Sequence, residues 1–128
     1  MVVLGAGMDG LGLASLARAD GGRRLVEVDC PEVVARKWAA LGKASAAASV
    51  EWLRRLLCGD GGGGDGGQYH LVAADLRDPD GSVAGALAPL LSANQEGGLL
   101  FVLEAVLGYL PSERATALLR CVCVWAWV

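Results

Sequence analysis

What this 128-residue chain lacks narrows its class before any motif is considered. It has no basic stripe: 11 Lys and Arg stand against 14 Asp and Glu, for a formal charge of −3. With nothing to neutralise phosphates, nucleic acid is not expected as a main partner. It has a single histidine, His70, and four cysteines at positions 30, 58, 121 and 123 without paired-turn spacing. A zinc site needs about four ligands, so no metal is expected and the cysteines read as reduced thiols. It has no apolar run able to span a bilayer, because Leu99 to Leu110 carries Glu104 and is too short. No charged region separates Met1 from the first apolar residues, so no signal peptide is read, and a soluble cytoplasmic protein is expected. Nor does a Gly-Lys-Ser/Thr follow the glycine run of residues 59–67. That run is therefore a low-complexity surface loop and not a phosphate loop.

What is present is apolar and patterned. Hydrophobic residues make up 54% of the chain, enough for one ordered domain over residues 1–128. The stretch from Val2 to Gly10, VVLGAGMDG, runs an apolar strand into a glycine turn and then into an amphipathic segment. Strand, Gly-x-Gly and helix in that order bring backbone against a nucleotide, with Gly5 and Gly7 keeping side chains out of the way. By letter Gly10 completes the dinucleotide fingerprint, yet the same strand end also opens S-adenosylmethionine sites. The stretch indicates a nucleotide-like cofactor and leaves its identity open.

Along the chain, Leu11, Leu13, Leu16 and Ala17 form a helical stripe closed by Asp20, Gly21 and Gly22. Residues 24–29 read as a second strand ending on Asp29, about 20 residues past the glycines, where a doubly wound fold places the acid for a ribose diol. Asp29 also stands just before Cys30 and Pro31, so it equally suits a helix N-cap. Residues 31–57 are helical in pattern, with Gly42 a candidate break. Residues 69–73 form a third strand that delivers Asp75, Leu76, Arg77 and Asp78, and a helix follows over about 83–91. Residues 99–103 read as a fourth strand buried on both faces and ended by Glu104. A last helix opens at Pro111 with Ser112 as its N-cap. This βαβαβαβα order predicts a parallel sheet with helices on both faces, and it sets Asp29, Asp75 and Glu104 at one ligand-binding edge. Three carboxylates there would repel a pyrophosphate but suit a sulfonium cation, which favours S-adenosylmethionine.

The ordered motifs LGAGMD, VEVDCPEVVARK, YHLVAADLRD and LEAVLGYLPSE resemble the leucine carboxyl methyltransferase family over most of residues 2–119. The resemblance implies a Rossmann-like (class I) methyltransferase core using S-adenosylmethionine. It implies methylation of the C-terminal leucine carboxylate of the type 2A protein phosphatase catalytic subunit, although relatives act in tRNA wybutosine synthesis or on small metabolites. By position, Gly5 and Gly7 would approach the cofactor and Asp29 would hold its ribose. Asp75 would accept from the adenine amine, with the Leu76 N–H on a ring nitrogen. Glu104 would sit near the amino group and the methyl, and Tyr109 at the substrate mouth. No residue is expected to act as a general base. The chain departs from the family in starting within the first strand, without the preceding helix that carries a lysine and an arginine. Its end, residues 121–128, has no counterpart. It therefore reads as an incomplete core, the cofactor half of such an enzyme. Either an inactive fragment or an NAD-dependent oxidoreductase is the alternative.

Overall fold

The computed structural model describes residues 1–18, 23–46, 53, 69–91 and 98–126. The helix closure at 20–22, the helical pattern beyond 46 apart from Leu53, Cys58, the 59–67 glycine run and the last two residues lie outside the described residues. Strands β1 (Val2–Leu4), β2 (Leu25–Asp29), β3 (Tyr69–Ala73) and β4 (Phe101–Val102) form one sheet in the order β3-β2-β1-β4. Every pairing is parallel. Helix α1 (Leu11–Ala17) follows β1, and α2 (Pro31–Ser45) follows β2. After β3 a π-helical turn, Pro79–Val83, leads directly into α3 (Ala84–Leu91). After β4 a 3₁₀ turn, Val106–Tyr109, precedes α4 (Ser112–Ala126).

Side chains alternate across a strand, so the sheet divides the apolar residues into two cores. Val2 and Leu4 of β1 and Val26 and Val28 of β2 pack on one face with Val83, Leu87, Leu91 and Leu118. Leu25 and Tyr69 lie on the other face, with Leu13, Leu16 and Leu53. This is the α/β, Rossmann-like architecture with helices on both faces. Leu4, Leu25, Leu87 and Leu118 are fully buried, and truncating any of them to alanine would destabilise by about 2–5 kcal/mol.

The local expectations need several corrections. The fourth strand is shorter than residues 99–103 and is not buried on both faces. Only Phe101 and Val102 pair, both half-buried, and Leu100 is exposed. Among the described residues β4 has only β1 as a neighbour, so its apolar run does not mark a central strand. Gly42 does not break α2, which continues to Ser45. Ser112 is not an N-cap but lies within α4, where the Pro111 carbonyl accepts from the Arg114 and Ala115 N–H groups. Leu11 and Ala17 are exposed, so α1 buries only Leu13 and Leu16. Helix α4 carries on past residue 121 to Ala126 because Leu118, Val122 and Trp125 repeat at helical spacing and keep facing the first core, and Cys121 is buried as well. The Cys121 thiol donates to the Pro79 carbonyl at 3.5 Å, and burial pushes its pKa up.

Candidate functional site

Parallel pairing delivers every strand's carboxyl end to the same edge. Leu4 pairs with Val28 and Asp29 with Ala73, so the glycine turn, Asp29 and Asp75 all leave there. Val3 pairs with Val102, so Glu104, two residues past the end of β4, leaves at this edge too. Beside β1 the strand order changes direction, with β2 and β3 on one side and β4 on the other. Open α/β sheets bind ligands at that point.

Within the turn, Gly5 and Gly7 have φ of +76° and +52°, the left-handed region that glycine tolerates best. Their surroundings differ. A Cβ on Gly5 would lie 2.5 Å from Val106 Cγ2, so Gly5 admits the chain after β4, whereas a Cβ on Gly7 would meet open space. The literal fingerprint fails at its third glycine, whose usual duty is close helix–strand packing. A Cβ on Gly10 would meet nothing, while one on Gly12 would lie 2.8 Å from Glu27 Oε1 and 3.0 Å from Leu25 Cδ2. Gly12, not Gly10, lets α1 approach β2.

Asp29 is not the cap of α2, whose N-cap is Cys30 with no side-chain bond. Its carboxylate instead fastens the turn: Oδ2 accepts from the Gly7 N–H and Oδ1 from the Cys30 N–H, both at 2.7 Å. A carboxylate has about four acceptor positions, so each oxygen keeps capacity for a ligand hydroxyl.

Past β3, Asp75 is held by Arg77. The guanidinium Nε donates to Oδ1 at 2.9 Å and Nη2 to Oδ2 at 2.8 Å, and the Arg77 N–H also reaches Oδ1. Hydrogen bonding to Arg77 lowers the Asp75 carboxyl from its ordinary 3.8 to about 2. The Asp75 N–H donates to Ser82 Oγ, and Asp78 caps the π-helical turn by accepting from the Gly81 and Ser82 N–H groups. Leu76 is buried in the first core, which anchors the backbone at this point. Glu104 is exposed just beyond β4. Ala105 follows at φ 57° and starts the short helix whose Val106 abuts Gly5. Tyr109 ends that helix and is 87% exposed.

Directly beneath the turn lies a group the sequence motifs did not single out. Glu27, pointing to the α1/α2 face of β2, is 1% exposed. Its Oε2 accepts from Lys37 Nζ at 2.6 Å and from the Tyr69 hydroxyl at 2.7 Å. Lys37, 3% exposed, also donates to the Asp9 carbonyl of the turn at 2.6 Å. Trp38 meets the Tyr69 ring edge-on, with centroids 6.2 Å apart. Burial, then the bond to Glu27, pushes the Tyr69 phenol well above its ordinary range. One signal could have found this cluster: a carboxylate alternating inward between apolar residues of a central strand requires a buried partner.

Among the described residues, no helix is long and apolar enough to cross a membrane. A family model described as leucine carboxyl methyltransferase matches residues 1–123. Leucine carboxyl methyltransferase 1 of Eremothecium gossypii is 45% identical over 60 residues, which make up 45% of this chain and 17% of that protein. The match thus spans about a sixth of that curated relative.

Proposed function

The chain belongs to the leucine carboxyl methyltransferase family, and from that premise we propose that its strand-end cluster binds S-adenosylmethionine. The methyl acceptor in this reading is the C-terminal leucine carboxylate of a type 2A protein phosphatase catalytic subunit. One observation carries the cofactor assignment: the glycine turn, Asp29, Asp75 and Glu104 converge on one sheet edge, at the reversal of strand order. The residues fit the group. Open space at Gly7 accommodates a ligand against backbone, and Asp29 can accept from a ribose diol without releasing the turn. Asp75 takes the adenine amine once Arg77 swings aside. That exchange is inexpensive for a pair whose side chains are 43% and 70% exposed. The Leu76 N–H meets a ring nitrogen, Glu104 faces the cofactor's cationic groups, and Tyr109 stands on the acceptor side.

Bound there, the cofactor supplies a methyl group on a positively charged sulfur. The protein's own contribution is alignment and exclusion of water. A C-terminal carboxylate is already ionised near neutral pH, so no proton has to be removed and no general base is needed. Glu104 accordingly binds and does not transfer a proton. The GAGMDG string favours a dinucleotide only by letter, since its third glycine does not pack helix on strand. Calorimetric titration with S-adenosylmethionine and with NADH tests the cofactor, and radiolabelled methyl transfer to the phosphatase subunit tests the acceptor. Binding of S-adenosylmethionine alone, with label absent from a subunit lacking its terminal leucine, is expected. NADH binding without S-adenosylmethionine binding would reverse the assignment.

A further inference from the structure

The glycine turn is held at two points by side chains of opposite character. At Gly7 the holder is Asp29, which also faces the proposed ligand. At Asp9 the holder is Lys37, which lies under the turn and is closed off from solvent. Only Met8 separates the two points, and it is half exposed. The Lys37 ammonium cannot wander, because Glu27 Oε2 holds it at 2.6 Å and Tyr69 in turn holds that oxygen at 2.7 Å. Helix α1 approaches the other Glu27 oxygen closely at Gly12, where an added Cβ would lie 2.8 Å from Oε1. Through Lys37, therefore, α2, β2 and β3 are linked to one carbonyl of the turn. Burying an ion pair is a poor way to add stability, since apolar residues of similar volume do as well or better. What the pair does here that apolar residues could not is donate a hydrogen bond to a particular backbone oxygen.

We propose that Lys37 is a positioning residue for the cofactor turn: oriented by Glu27 and Tyr69, it fixes the Asp9 carbonyl and so holds the Gly5–Asp9 backbone in its ligand-ready shape before any ligand arrives. The affinity consequence rests on the S-adenosylmethionine reading above; the ordering of the turn does not. A pre-ordered turn spares the ligand the cost of ordering it on binding.

Lys37→Met alone strands the Glu27 carboxylate in the core and threatens the fold, so the decisive protein is the double variant Glu27→Gln with Lys37→Met. It carries no buried charge, and the glutamine oxygen still accepts from Tyr69. Two quantities are read on the full chain: S-adenosylmethionine affinity by calorimetry, and amide hydrogen exchange without ligand at Gly7, Asp9 and Leu11, each of which donates a hydrogen bond in the turn. We expect the double variant to melt close to the parent, to bind about ten-fold more weakly or worse, and to exchange those amides about ten-fold faster while Val26 and Val28 keep their protection. A role confined to stability would move neither reading once the melting temperature is restored. Unchanged turn exchange overturns the proposal whatever the affinity, and so does faster exchange with unchanged affinity in a parent that binds. If the parent binds no S-adenosylmethionine, the cofactor reading falls and the exchange measurement alone decides the role of Lys37.

Discussion

Two ion pairs flank the same sheet edge, and by distance they are nearly twins: Lys37 to Glu27 at 2.6 Å and Arg77 to Asp75 at 2.8 Å. Their surroundings are opposite. The side chains of the first are 3% and 2% exposed, those of the second 70% and 43%. In the buried pair neither charge can turn to water, so each is bound to its partner and the geometry is fixed. In the exposed pair water competes for both charges, and the carboxylate can be surrendered to another donor at little loss. The first suits a permanent support beneath the turn, the second a contact that yields to a ligand. Contact distance alone would have ranked them together; burial separates their roles.

The largest expected effect comes from breaking the buried pair on one side only. Lys37→Met should lower unfolding free energy by about 3–5 kcal/mol, measured by urea titration, because it leaves an uncompensated carboxylate in the core. A loss no greater than that of a surface substitution would erase the contrast between the pairs.

Next comes a steric attack on the same pair that leaves its charges alone. Gly12→Ala would place a methyl 2.8 Å from Glu27 Oε1, which cannot retreat while Oε2 holds both Lys37 and Tyr69. A destabilisation of about 1–3 kcal/mol is expected, reduced by the better helix propensity of alanine. Gly10→Ala, facing open space, should be neutral or stabilising in the same titration.

Asp29 sits between the extremes, being half-buried and bonded to two backbone N–H groups. Asp29→Asn keeps one acceptor oxygen in place of two, so it should cost about 1 kcal/mol of stability as well as several-fold in S-adenosylmethionine affinity. Paired thermal melts and titrations read both. Lost affinity with an unaltered melting temperature would separate the turn from the ligand role.

The smallest stability effect belongs to Arg77→Ala, which should leave the urea midpoint unmoved. Its signature lies in titration: the Asp75 carboxyl, held at about 2 by Arg77, should return toward 3.8, as read by NMR. Because the folded value is lowered, whatever the pair contributes is present above pH 3.8 and is lost as pH falls through about 2. An Asp75 midpoint unchanged by the substitution would show that something other than Arg77 depresses it.

The sequence by itself determined the sheet and its edge. Short β-branched runs broken by glycine, proline and acids give parallel strands separated by helices, and the acids that end those strands have nowhere to go but the carboxyl edge. Asp29, Asp75 and Glu104 were legible for that reason, as were the strand limits of β3. Tertiary structure alone decided which glycine meets the sheet, because close packing is a relation between Gly12 and Glu27 that spacing along the chain does not encode. It also decided that the Asp29 carboxylate fastens Gly7 instead of capping α2, since a strand-end acid has several N–H groups in reach and only the fold selects among them. The extent of β4 escaped the sequence because an apolar run reports burial without reporting how many neighbours the strand will have. Above all it was the fold that brought Lys37, Glu27, Tyr69 and the Asp9 carbonyl together. They come from a helix, two strands and a turn, and although the inward Glu27 signals that a buried partner is needed, no local pattern announces which groups will meet it.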